Sequence, residues 1–267
     1  MKKQLSKMTS VFLVLLFALG SFSPVLPEFG ALLGFDAFAE SASGTCGDEG
    51  DNLTWTLDTS SGVLTIDGNG KMASYTSSNR PGWYDYKDQI TSVTVSEGVT
   101  SIGNYAFRDC SAMTDASLPS SLKTIGQNAF GASGLTSITI PENVTKLDNM
   151  AFGGCKDLTT INYNATSLTS VTGTPFSLAG AERKPVSVVF GDSVQTIPDD
   201  LFKANYDNWM LNITSVTFGS SVKTIGARAF KNMSGIVTLV LPASLETIGN
   251  DAFLGCSGLK GWIDIPQ

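Results

Sequence analysis

From residue 90 onward, apolar and polar positions recur with a period close to 23 residues. Units begin at Ile90, Met113, Leu135, Leu158, Pro185, Ile213 and Ile236; an eighth starts at Leu259 and breaks off at Gln267. Each opens with a short alternation, such as Val93 and Val95, Ile138 and Ile140, or Val216 and Phe218. Period two predicts a strand with one face buried. Pro119, Pro141 and Pro242 follow the alternation and end it, because proline gives no donor to a ladder. Two inward aliphatics at spacing three come next: Val99 and Ile102, Leu122 and Ile125, Val222 and Ile225. The glycine after them (Gly103, Gly126, Gly226, Gly249) suits a turn with positive φ. The closing A-F-x-x-C segment predicts one or two helical turns, with Ala and Cys four apart on one face.

Every unit carries a phenylalanine at the same place: Phe107, Phe130, Phe152, Phe176, Phe202, Phe230 and Phe253. Stacked units turn these into a continuous aromatic spine. One unit alone buries too little apolar surface to offset the entropy of ordering its backbone. Stacking closes that gap, so the repeat predicts a solenoid.

Ahead of the repeats, Leu53–Leu57 and Val63–Ile66 alternate around Asp58-Thr59-Ser60-Ser61-Gly62, a hairpin loop, and Gly68-Asn69-Gly70 marks another turn. This predicts a small hairpin unit over the open end of the first coil, with Trp55 and Trp83 packed between the two. The alternative is that these tryptophans form an exposed ligand platform.

The first residues read as an export signal. Lys2, Lys3 and Lys7 precede the apolar run Val11–Gly20, which is too short to anchor in a bilayer. Ala37-Phe38-Ala39 is a small-x-small cleavage signal; the long stretch after Gly20 leaves earlier cleavage open. The expected organisation is a signal peptide at 1–39, a hairpin cap at 40–89 and a solenoid at 90–267, with no membrane span after signal removal.

Charged residues make up 15% of the chain, the net charge is −7, and histidine is absent. An acidic, sparsely charged surface argues against a nucleic-acid partner. Without histidine there is no Ser-His-Asp or Cys-His nucleophile system and no His-ligated metal. Cys110, Cys155 and Cys256 share one repeat position, too far apart for disulfides, and read as small buried hydrophobes. Cys46 reads as a free thiol. The acidic stretch Asp48–Asn52 reads as a solvated loop in preference to a calcium loop, and Asp199-Asp200 as divergent neighbours in preference to a catalytic pair. The five N-x-S/T sequons follow from Ser/Thr/Asn richness. No catalytic residue, cofactor site or metal site is expected.

The segment I-G-x-x-A-F-x-x-C, as in Ile102–Cys110 and Ile248–Cys256, resembles the BspA-like leucine-rich repeat family of bacterial surface and secreted proteins. The stretch from Thr45 to Tyr84 is also similar to that family's N-terminal region. The resemblance implies an α/β repeat solenoid, a curved stack with a parallel sheet on its concave face, preceded by the small β-hairpin cap. It implies adhesion or protein binding at the cell surface and no catalysis. The coils from Leu158 and Pro185 depart from the pattern, with insertions, no Cys, and Pro175 and Leu201 in place of the alanine.

The outward strand positions of the seven coils are short and polar; ten of fourteen are Ser or Thr, among them Thr94, Thr139 and Thr217. They make either a soluble β surface or a flat docking face for an extracellular protein or glycan. A second candidate contact is the insertion Lys203–Asn212 with Tyr206 and Trp209, aromatics common in hot spots, unless Trp209 folds back over the core. The expected function is an exported bacterial binding module, secreted or at the cell surface. The rival is a spacer whose activity lies C-terminal to it. The break at Gln267 predicts a longer parent protein or self-association over that edge.

Overall fold

The computed structural model describes residues 41–177, 184–203 and 211–260. The strands in chain order are β1 Ser41–Gly47, β2 Gly50–Asp58, β3 Val63–Gly68, β4 Gly70–Lys71, β5 Ser92–Val95, β6 Val99–Ile102, β7 Asp115–Ser117 and β8 Thr124–Ile125. They continue with β9 Ser137–Ile140, β10 Lys146–Leu147, β11 Thr160–Tyr163, β12 Val186–Phe190, β13 Thr196–Ile197, β14 Ile213–Thr217, β15 Thr224–Ile225 and β16 Thr247–Ile248. The alternating segments form ladders in the order β1-β2-β3-β5-β7 and β14-β12-β11-β9, antiparallel among β1, β2 and β3 and parallel from β3 onward. Between β7 and β9 the ladder thins to contacts such as Thr136 N–H to the Thr114 carbonyl, 3.2 Å. The aliphatic pairs at spacing three make further short parallel sheets, β10-β8-β6-β4 and β13-β15-β16. Sequence spacing read those pairs only as inward side chains.

The expected helical turns do not form. Among the described residues the only helical element is a single 3₁₀ turn, Tyr84–Tyr86, so the fold is a β-solenoid and not an α/β one. In five coils two residues take left-handed backbone conformations instead, and the coil from Pro185 has one such residue among its described residues. One position holds Tyr105, Asn128, Met150, Asp200, Arg228 and Asp251, with φ from 50° to 60°. The other holds Asp109, Ala132 and Asn232, or Gly154 and Gly255. Alternate N–H groups then point in different directions. Ala106, Arg108 and Cys110 donate three residues back, while Tyr105, Phe107 and Asp109 donate to Gln127, Ala129 and Gly131 of the next coil at 2.7–2.9 Å. A helix satisfies its own backbone, whereas this arrangement satisfies it across coils and welds each coil to its neighbour. Those inter-coil bonds offset the strain of non-glycine residues at positive φ.

The glycine before this segment has a different reason from the one its position predicted. Gly103 is not at positive φ; a Cβ there would stand 1.8 Å from the Ala73 carbonyl oxygen. Gly226 and Gly249 likewise lie against the backbone of the preceding coil, at 2.6 and 2.5 Å. Close approach of successive coils excludes the side chain, and the left-handed residue comes two positions later. One residue after Gly103, Asn104 Oδ1 accepts from Gln127 N (2.8 Å), and at the equivalent position after Pro198, Asp199 Oδ1 accepts from Ala227 N (2.7 Å), stapling coil to coil.

The phenylalanines form the spine. Successive centroids from Phe107 through Phe130, Phe152, Phe176, Phe202 and Phe230 to Phe253 lie 5.2–5.6 Å apart. Trp83 extends the column, stacked on Phe107 at 5.6 Å with its Nε1 donating to the Ala106 carbonyl, 2.9 Å. Trp55 and Tyr75 meet it edge-on at 5.8 and 5.9 Å. All three rings are buried, so the tryptophans are core and not a platform. The cap is a hairpin, β2 with β3, plus the outer strand β1, which carries too little apolar alternation to be read from sequence. Because β3 pairs in parallel with β5, and β4 with β6, the hairpin also completes a coil in front of the first repeat.

The β2–β3 loop is held by Asp58, whose carboxylate accepts from the hydroxyls and amides of Ser60 and Ser61 at 2.6–3.3 Å. These bonds, the serine hydroxyls first, hold its pKa at about 2 against an ordinary 3.8. A depressed folded pKa means the stabilisation is complete above the unfolded value and is lost as pH falls. Asp58→Asn is therefore expected to flatten the acid limb of a stability profile between about pH 4 and pH 2; an unchanged limb would contradict it.

In the coil from Ile236 the strand position departs from the pattern. Residues 236–246 make no ladder, and Val237 and Val240 are 58% and 82% exposed. Among the described residues the strand ladder stops at β14, while the spine and the second sheet run on to Phe253 and β16. Each inner strand of a ladder has a neighbour on both sides, and no described segment supplies the outer one here.

Candidate binding face

Alternation in each strand buries one set of side chains and turns the other outward. Val93, Ile138, Ile161 and Val188 are buried, and the residues between them face solvent. Strand pairing, antiparallel in the cap and parallel in the coils, then aligns the outward residues in rows. Pairing places Ser43 beside Thr56, Thr56 beside Thr65, Thr65 beside Thr94, and Thr94 beside Ser117. Beyond the thin joint, Thr139 stands beside Asn162, Asn162 beside Val189, and Val189 beside Thr217. The structure thus brings Thr94, Thr139 and Thr217 onto equivalent positions of one face. Tyr206 and Trp209, the other candidate contacts, lie outside the described residues, as do the signal segment and residues 261–267.

Sequence reasoning took the cap only as a cover. Its strands extend the face, contributing Ser43, Thr56 and Thr65. The signal for the last two was present, since T-W-T and L-T-I already alternate.

A second row of threonines stands where each coil enters its strand. Thr91 Oγ1 donates to the Ser61 carbonyl (3.0 Å), Thr136 Oγ1 to Thr114 (3.2 Å) and Thr159 Oγ1 to Thr136 (3.1 Å). These hydroxyls are spent on holding coils together. On the outward row, Asn162 Nδ2 reaches Thr139 Oγ1 at 3.3 Å, and Thr94 and Thr217 are exposed to solvent.

None of the strands of this face contains Lys or Arg. The turns that leave them carry acids. Glu97 accepts from the amides of Ser120 and Ser121 (2.7 and 3.1 Å), and Asp192 accepts from Ser220 N and Oγ (2.9 and 3.1 Å). The Ser120 and Ser220 amides, respectively, are the main cause holding each carboxyl below its usual range. A cavity of about 260 Å³ opens at this rim, lined by Glu142, Asn164, Gly191, Asp192 and Ser193.

The other chemistry-bearing groups have structural work. Asp199 caps Ala227 as described, and Asp200 takes a two-pronged contact from Arg228, 2.8 Å from both Nε and Nη2. That guanidinium is the main cause lowering the Asp200 pKa. The acidic loop at 48–52 is organised by Asn52, which accepts from Glu49 N and donates to the carbonyls of Asn69 and Lys71. The four cysteines are free thiols and buried. Burial pushes Cys46 and Cys110 up to about 12 and Cys155 to about 11, which keeps them protonated and poor nucleophiles. Cys155 Sγ and Cys256 Sγ donate to the carbonyls of Phe130 and Phe230, both at 3.1 Å.

Coils welded by backbone and ring stacking, with polar outward strand positions, define a β-solenoid repeat protein. Residues 81–208 and 205–267 match the family described as BspA type leucine rich repeat region (6 copies), and the chain belongs to that family. The chain is similar to several solved structures. A leucine-rich repeat protein from Eubacterium ventriosum is 19% identical over 84% of this chain and 96% of its own, with a TM-score of 0.32. A leucine rich cell surface protein from Faecalibacterium prausnitzii is 24% identical over 82% of this chain and 53% of its own, TM-score 0.42. The leucine-rich repeat protein of T. pallidum is 17% identical over 77% and 87%, TM-score 0.40. No curated protein matches the chain.

Proposed function

We propose that this chain is an exported binding module of a bacterial cell surface, adhering to host or neighbouring-cell macromolecules through the outward row that contains Thr94, Thr139 and Thr217. The observation that carries this reading is the in-register run of short, uncharged side chains across cap and coils. Solubility alone is served better by Lys and Glu, which also protect strands from unwanted pairing. Serine and threonine give up little rotamer freedom on contact, whereas long charged side chains give up much more. The backbone beneath is rigid, so docking needs little reorganisation. The cleavable N-terminal signal read from sequence supplies the export route.

The test is capture of bacterial and epithelial cells and of extracellular-matrix components by the immobilised chain. Thr94→Glu with Thr139→Glu and Thr217→Glu is expected to reduce capture at least tenfold. Each exposed substitution is expected to shift stability by only about 0.5 kcal/mol. Unchanged capture by the triple variant would remove the face from the reading. Tyr206→Ala with Trp209→Ala asks the same of the insertion, where loss of about 2 kcal/mol of binding with stability kept would make it a second contact.

A further inference from the structure

We infer that Asn69 is a site of spontaneous deamidation, gated by the bond that ties β4 to β6, and that its conversion to isoaspartate unlocks this edge of the cap from the first coil. Asn69-Gly70 is the only Asn-Gly pair in the chain. Glycine has no Cβ to hinder attack by its own amide nitrogen on the preceding side chain. Asn69 is exposed, in the turn between β3 and β4, with a glycine on each side. The reaction needs nothing but water. The Gly70 nitrogen attacks Asn69 Cγ and gives up its proton. A new C–N bond closes a succinimide ring, and the side-chain amide leaves as ammonia, which carries that proton away. Water then opens the ring at either carbonyl, leaving aspartate or isoaspartate.

The fold holds the nucleophile. Gly70 N–H donates to the Gly98 carbonyl at 2.9 Å, within the β4–β6 pairing. While that bond stands, the nitrogen is not free to turn onto Cγ. Attack therefore waits for β4 to lift, and β4 is built to lift first: it has two residues, Gly70 and Lys71, and is the outermost strand of its sheet. The isoaspartate product does not close again. Its main chain runs through Cβ and Cγ, one atom longer, which takes Lys71 out of register with Ser101. The former Asn69 carbonyl becomes a free carboxylate. In the closed turn that carbonyl accepts from Asn52 Nδ2 at 2.9 Å, which ties the turn to the start of β2. The Asn69 side chain lies against Gly98, since its Oδ1 is 2.4 Å from where a Cβ on that glycine would stand. The new charge thus forms between the sequence neighbours Asp67 and Glu97, and like charges repel.

The test incubates the full chain in mildly alkaline buffer, folded and in guanidinium chloride, and follows isoaspartate at each asparagine by peptide mass spectrometry with methyltransferase labelling. Asn69 is expected to convert faster than every other asparagine in both conditions, and roughly tenfold or more slowly in the folded chain than in the unfolded one, because only the opened fraction reacts. Hydrogen exchange on the aged, folded chain is expected to show faster exchange at Gly70 and Met72, whose amides donate to Gly98 and Ser101 of the first coil, with the central coils unchanged. Asn69→Gln, whose longer side chain closes the ring far more slowly, is expected to keep its original exchange over the same incubation, which separates deamidation from general ageing. Equal rates in folded and unfolded chain would show that the β4–β6 bond is no gate. A different asparagine reacting first, or unchanged exchange at Gly70 and Met72 after Asn69 has converted, overturns the inference.

Discussion

Phe152→Ala is expected to lower stability by roughly 3–5 kcal/mol. The ring is fully buried and stacked between Phe130 and Phe176, at 5.3 and 5.2 Å with interplanar angles of 6° and 11°. Its removal costs the transfer free energy of the side chain and leaves a cavity that the neighbouring rings cannot close. They are held in place by backbone bonds such as Phe130 N–H to the Ala151 carbonyl, 2.8 Å. Denaturant unfolding followed by circular dichroism measures the change. A loss below about 1 kcal/mol would show that the spine is not a stabilising core. Phe130→Ala and Phe152→Ala together are expected to be non-additive, because the two rings touch.

Trp83→Ala is expected to cost a comparable amount, roughly 3–5 kcal/mol, and to act at one end of the stack. Trp83 joins the cap to the first coil through three rings and one hydrogen bond. Trp83→Phe keeps the stack on Phe107 but leaves the buried Ala106 carbonyl without its donor, which costs about 1–3 kcal/mol. Hydrogen exchange on the alanine variant should show β1 to β3 opening before the central coils, since repeat arrays lose terminal units first. Uniform exchange along the chain would mean that the cap is not a separable unit.

Particular residues show how far the sequence carries the fold. Phe107 to Phe253 recur too regularly to be anything but a column, and the column is there. Thr94, Thr139 and Thr217 sit between buried aliphatics, so their outward direction follows from period two. The A-F-x-x-C segment was misleading for a physical reason. Ala106 and Cys110, four apart, share an inward face in a helix, and they are equally buried in the alternating turn. Choosing between the two needs the acceptors at Gln127, Ala129 and Gly131, which belong to the next coil. Gly103 is similar: a turn glycine and a close-approach glycine look alike until the Ala73 carbonyl is placed beside it. Ser41–Gly47 has no strong apolar alternation, and it becomes a strand only because β2 offers it an edge.

The amino-acid sequence by itself determined the repeat, its period, the spine, the inward aliphatics and the polar character of the outward strand positions. These are properties of one coil, dictated by which side chains leave water. The tertiary structure alone decided the turns in place of helices, the second parallel sheet, the cap's role as a coil in front of the first, and the joining of cap and coil hydroxyls into one row. Each of these depends on a hydrogen bond or a backbone approach between residues of different coils, and no single coil's pattern records its neighbour.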